Sequence, residues 1–61
     1  MEQNVTTNYK FREHEAVVWN DQMARIEDTA VDAAGRNIYL IQTAQHRYYY
    51  AYEEDLEVYI G

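Results

Sequence analysis

The chain contains no cysteine, no proline and no serine, and only two glycines in 61 residues. Without cysteine there is no disulfide and no zinc–thiolate framework, so the fold does not require an oxidising compartment. Without serine or cysteine the commonest nucleophiles of covalent catalysis are missing. No apolar run approaches the roughly 18 residues of a membrane-spanning helix. The residues Met1–Asn8 (MEQNVTTN) have neither the basic nor the apolar region of a secretory leader. The expectation is a cytoplasmic chain with no membrane partner. Positive charge is also scarce: five Lys and Arg against eleven Asp and Glu leave a net charge of −6. That sign argues against direct contact with nucleic acid.

Aromatic residues, by contrast, are abundant. Seven Tyr, one Trp and one Phe stand beside seven Ala, and Val, Ile and Leu together number only eleven. A chain of this length is one small domain. With disulfides excluded, it needs an efficient core or self-association to offset the entropy of ordering. Tyr and Trp suit that task, because their rings cover apolar surface while their polar tips stay wet.

Met1–Asn8 is polar apart from Val5 and reads as a flexible N-terminal tail, followed by a single domain over residues 9–61. Ala16–Trp19 (AVVW) is a short apolar strand, and Asn20-Asp21-Gln22 has turn composition. Met23–Asp32 is mixed. Ala33-Ala34-Gly35-Arg36-Asn37 contains the only internal glycine and signals a reversal. Ile38-Tyr39-Leu40-Ile41 is the strongest strand, and Tyr48-Tyr49-Tyr50-Ala51-Tyr52 is a second one of high β-propensity. Glu53-Glu54-Asp55 then turns the chain into a short closing strand, Glu57-Val58-Tyr59-Ile60.

A second reading stays open over residues 13–34. Ala16, Trp19, Met23, Ile26, Ala30 and Ala33 recur at spacings of three and four, as on one face of a helix, with Gly35 placed to end it. A helix packed on a C-terminal hairpin would result. Against it, Val17-Val18-Trp19-Asn20-Asp21 is a run of mediocre helix formers, and an extended segment also separates Val17 and Trp19 from Ala16 and Val18. All-β is the favoured class.

The order of features resembles the small Src-homology-3-like five-stranded barrels of bacterial and phage proteins. Phe11 precedes the polar step His14-Glu15 and the strand Val17-Val18-Trp19. A long strand pair, Met23 to Gln42, reverses near Gly35, and the aromatic strand Tyr48–Tyr52 runs into an acidic turn that ends in Leu56. The likeness covers roughly residues 11 to 60 and is a pattern of fold, not of catalysis. It implies that Tyr39, Ile41, Tyr49, Ala51, Leu56 and Val58 point inward with Val17, Trp19 and Ile26. Tyr48, Tyr50 and Tyr52 then share the opposite face. Glu53, Glu54 and Asp55 fall in one helical-type turn near its N-terminal amides, where negative charge is favoured. Two departures matter. Such barrels have Gly where this chain has His14. The groove of the polyproline-binding members needs residues that are absent here, so polyproline binding is not implied.

His14 and His46 are the only imidazoles. Glu13-His14-Glu15 offers metal-ligand chemistry, but a site needs three or four convergent donors, and neighbours in an extended segment diverge. No metal, no cofactor and no catalytic residue are expected, and the chain is read as not an enzyme. The row Tyr48, Tyr50 and Tyr52, with Glu53, Glu54 and Asp55 beside it, has the composition enriched at protein interfaces. The expected function is a non-enzymatic interaction module that holds a protein partner on this face, or pairs with itself as a homodimer. An alternative is an acidic mimic of DNA, in which Glu27, Asp28, Asp32, Glu53, Glu54, Asp55 and Glu57 imitate a phosphate array. The plain alternatives are a strand-stabilising ladder for the tyrosines and a solvated surface for the acids.

Overall fold

The computed structural model describes residues 8–60. The expected tail over 1–8 therefore lies, apart from Asn8, outside the described residues. Five strands, Ala16–Trp19 (β1), Gln22–Val31 (β2), Asn37–Thr43 (β3), Tyr48–Tyr52 (β4) and Leu56–Val58 (β5), form one antiparallel sheet in the order β4-β3-β2-β1-β5. A single 3₁₀ turn, Glu53–Asp55, precedes β5, and among the described residues there is no α-helix. The class is all-β, and the helical alternative over 13–34 is overturned: that span holds β1, β2 and the turns around them.

The stripe that suggested a helix is divided between the two faces of the sheet. Trp19 packs against the core and Ile26 is in it, whereas Met23 opposes Val18 and Ala30 opposes Ile38 on the other side. A β-bulge between Ile26 and Asp28 inserts Glu27 into the ladder. One extra residue reverses the parity of everything beyond it, so Ala24 and Ile26 face inward before the bulge and Thr29 after it.

Each hairpin is set by its turn residues. Trp19 pairs with Gln22, leaving Asn20 and Asp21 as a two-residue loop with φ of 54° and 64°. Positive φ at both central positions is the type I′ arrangement, whose twist matches that of the flanking strands. The β2–β3 and β3–β4 hairpins share a different geometry. The Gly35 amide donates to the Asp32 carbonyl and the Asp32 amide to the Arg36 carbonyl, both at 2.9 Å. The His46 amide likewise donates to Thr43 and the Thr43 amide to Arg47, again at 2.9 Å. Both are three-residue loops that end in a left-handed residue, Gly35 in one and His46 in the other.

The closed barrel expected from sequence is not formed: the ladder is open, with β4 and β5 at its two ends. The sheet nevertheless curls. Five flat strands would separate the edges by about 19 Å, while the step from Tyr52 to Leu56 spans at most about 14 Å and is shortened by its 3₁₀ turn. Curvature wraps the inner face around Phe11, Val17, Ala24, Ile26, Tyr39, Ile41, Ala51 and Leu56, all buried. Phe11 enters from outside the sheet and packs edge-on against Tyr39, ring centroids 5.6 Å apart. Two residues expected inside lie at the open rim instead. Tyr49 opposes buried Ile41 and Val58 opposes buried Val17, so their parity is inward, yet they remain 38% and 50% exposed. Where the ladder fails to close, nothing covers them fully. Tyr49 takes Trp19 as its neighbour instead, centroid to centroid at 4.9 Å.

Candidate functional site

The three even-numbered tyrosines of β4 do share the outer face, but they are not equivalent. Tyr52 is half-buried: the Arg36 guanidinium lies 4.4 Å above its ring, and Arg36 Nη2 donates to its hydroxyl at 3.1 Å. It fits the plain reading of a ring covered by a basic stem. Tyr48 and Tyr50 are open, at 57% and 69% exposure, and oppose Gln42 and Leu40 of β3.

Among the described residues β4 is also an edge strand, hydrogen-bonded on one side only. Bonded and non-bonded pairs alternate along an antiparallel ladder. Because Thr43 and Arg47 are a bonded pair, Ile41–Tyr49 and Tyr39–Ala51 are the next two. The amides and carbonyls of Tyr48, Tyr50 and Tyr52 therefore point away from β3, along the free edge. Edge strands are ordinarily blunted by Lys, Pro, a bulge or an inward charge. The stretch YYYAY carries none of these.

The acids of the 3₁₀ turn also part company. Glu53 is turned inward as a clasp, its Oε2 accepting from the Lys10 amide at 2.8 Å, from Asn37 Nδ2 at 3.2 Å and from the Tyr39 hydroxyl. The Tyr39 oxygen in turn accepts from the amides of Lys10 (3.0 Å) and Phe11 (3.2 Å). Asn37 also donates to the carbonyl of Asn8 at 2.8 Å. Residues 8–11 are thus fastened to β3 and to the 3₁₀ turn by one carboxylate, one phenol and one side-chain amide. The hydrogen bond from Tyr39, then the Lys10 amide, holds the Glu53 carboxyl below its ordinary range. Burial first, then the bond to Glu53, pushes the Tyr39 phenol up to about 12. The three acids do lie in the first turn of the 3₁₀ segment, as expected, but the Glu53 carboxylate is directed to Lys10, Asn37 and Tyr39, and Tyr52 at the N-cap makes no side-chain capping bond. Glu54 and Asp55 are exposed.

The remaining acids form no continuous array. Glu27 is paired with Arg25 Nε at 2.8 Å and Asp32 with Arg36 Nε at 3.2 Å. Asp32 also closes its turn by accepting from the amides of Ala34 and Arg36, and the Arg36 amide is the leading reason that its carboxyl is held low. Glu13-His14-Glu15 is not extended, as the sequence reading took it to be, but part of a turn: the Glu15 amide donates to the Arg12 carbonyl at 3.1 Å and His14 has φ 72°. His14 thus occupies the conformation for which glycine is suited. Among the described residues no group of three His, Cys, Asp or Glu is placed to hold a metal ion. Comparison with protein-family models, with curated proteins and with solved structures gives no match to this chain.

Two features escaped the sequence reading. The polar role of Tyr39 was missed, although a tyrosine in so apolar a strand as Ile38–Ile41 must find a partner for its hydroxyl. The exposed backbone of β4 was missed because pairing order decides which strand is an edge, and pairing order is not written in the strand itself.

Proposed function

We propose that the chain is a non-enzymatic, cytoplasmic protein-interaction module that binds an extended segment of a protein partner along the free edge of β4, with Tyr48 and Tyr50 as its side-chain contacts. The observation that carries this reading is the coincidence of two things on one strand: amides and carbonyls at Tyr48, Tyr50 and Tyr52 that are unpaired among the described residues, and two open tyrosine rings beside them. Strand addition takes its affinity from main-chain hydrogen bonds and its selectivity from alternate side chains. The framework is of Src-homology-3-like type. Support for that comes from the strand order, the pairing of β1 with both β2 and β5, and the 3₁₀ turn leading into β5. Imitation of DNA is the weaker reading, because Glu27, Asp32 and Glu53 are engaged within the fold.

A photo-crosslinking amino acid tests the proposal. Placed at position 50 it captures a protein; placed at Met23, equally on the outer face but on the interior strand β2, it does not. Capture from both positions, or from neither, removes the edge from consideration.

A further inference from the structure

We infer that the extended segment bound by β4 is β4 of a second copy of this chain, paired antiparallel and centred on Tyr50. The inference rests on the reading of β4 as a strand-binding edge and names its occupant. Edge-facing backbone groups at Tyr48, Tyr50 and Tyr52 permit only registers in which these residues oppose one another. Centring the two-fold axis on Tyr50 is the register that uses all three, with Tyr48 opposite Tyr52 of the second copy and Tyr50 opposite its own equivalent. That arrangement forms roughly six ladder hydrogen bonds and joins two five-stranded sheets into one. It also gathers the outer-face tyrosines of both copies on one face as two adjacent rows of three, where aromatic cross-strand neighbours attract.

Charge selects the same register. β4 is flanked by opposite signs: Arg47 precedes it and Glu53-Glu54-Asp55 follow it, with Arg47, Glu54 and Asp55 exposed. An antiparallel pair centred on Tyr50 sets Arg47 of each copy against the acidic turn of the other. A parallel pair would set acid against acid, in a chain whose net charge of −6 already opposes association. The interface is isologous and closed, so it yields a dimer and not a filament.

Sedimentation equilibrium on the full chain tests this. The expected result is a dimer, weakened at least tenfold by Arg47→Glu alone and by the double substitution Glu54→Lys, Asp55→Lys alone. An equimolar mixture of the two variant chains regains the wild-type affinity, because each then meets the opposite sign. These positions avoid Glu53, so the clasp to Tyr39 is left intact. Tyr50→Pro is a second probe: it removes an amide that faces the free edge and that the pairing with β3 does not use. The expected result is a folded monomer by circular dichroism and sedimentation. A wild-type chain that is monomeric up to about 1 mM, a mixture no tighter than its components, or a folded Tyr50→Pro chain that still dimerises would each overturn the inference. If the chain is monomeric while position 50 crosslinks to a different protein, the second copy is wrong and the strand-binding edge stands. If it is monomeric and position 50 captures nothing, both fall.

Discussion

At Tyr39 and Thr43 the inner face of β3 solves the same problem in opposite ways. Both side chains carry a hydroxyl into the interior, and both residues are buried. Tyr39 uses its oxygen three times, accepting from two backbone amides and donating to Glu53. The Thr43 Oγ1 is buried with no partner among the described residues. An unpaired buried hydroxyl costs about 1–3 kcal/mol, so Thr43→Val, which keeps the shape and removes the oxygen, is expected to raise stability by about 1 kcal/mol. Urea denaturation with an unchanged m value would show it; a loss of stability would mean that the hydroxyl has a partner in solution. The inward aim of Tyr39 followed only from the resemblance to a barrel, because Ile38–Ile41 is apolar at every position and its alternation selects no face. Its bond to Glu53 was not legible, because it joins residues fourteen positions apart through the curl of the sheet.

Turns and bulges govern what could be read at the level of elements. β1 and β4 were found at their full extent, Ala16–Trp19 and Tyr48–Tyr52, because each is a short run of β-formers bounded by polar turn residues. β2 showed no clear alternation of its own, because its bulge breaks the period by which a strand is recognised, and it was placed only through the resemblance, as the first half of the long pair Met23–Gln42. The two matched hairpins supply a test at this scale. They share one hydrogen-bond geometry, but the left-handed position is Gly35 in one and His46, with φ 64°, in the other. A left-handed residue with a Cβ costs ~1–2 kcal/mol, partly offset by the ~0.4–1 kcal/mol that glycine loses in unfolded-chain entropy. His46→Gly is therefore expected to stabilise by about 0.5 kcal/mol, raising Tm by about 2–4 °C. Gly35→Ala should do the reverse, at about 1 kcal/mol. A Cβ there meets nothing within 4 Å, so its cost is backbone strain and not collision. Calorimetry of both variants reads the two signs directly.

For the molecule as a whole, the Tyr39–Glu53 clasp makes stability depend on pH at both ends of the scale. The Glu53 carboxyl is held below its ordinary value of 4.5 in the folded chain. Its contribution is present above that value and is lost as pH falls through the lowered one; Asp32, also held low, adds to the same acid limb. Tyr39 behaves oppositely. Its phenol is raised from 10.0 to about 12, so its contribution is complete below 10.0 and disappears as pH rises towards about 12. The expected profile of Tm is a plateau with an acid and an alkaline fall. Tyr39→Phe should lower the plateau by about 2 kcal/mol, the worth of hydrogen bonds to a charged group. It should also flatten the alkaline fall while leaving the parts of the acid fall that Asp32 and the remaining Lys10 and Asn37 bonds to Glu53 supply. An alkaline limb unchanged in Tyr39→Phe would assign it to another group.

Composition and periodicity determined what depends on neighbours along the chain. They set the all-β class, the two clearest strands, the reversal at Gly35 and the split of odd from even tyrosines in β4, while the turn of acids ending in buried Leu56 came from the resemblance. The former follow from the two-residue period of an extended backbone and from the φ preferences of turn residues, both of them local. Tertiary structure decided what depends on distant segments meeting. It left the ladder open instead of closed, brought Phe11 into the core, spent Glu53 on the Lys10 amide and Tyr39, covered Tyr52 with Arg36 and left β4 at an edge. Each of these is a contact between groups far apart in the chain, fixed by how far a short turn can reach and how tightly the sheet must bend, and no window of sequence contains both partners.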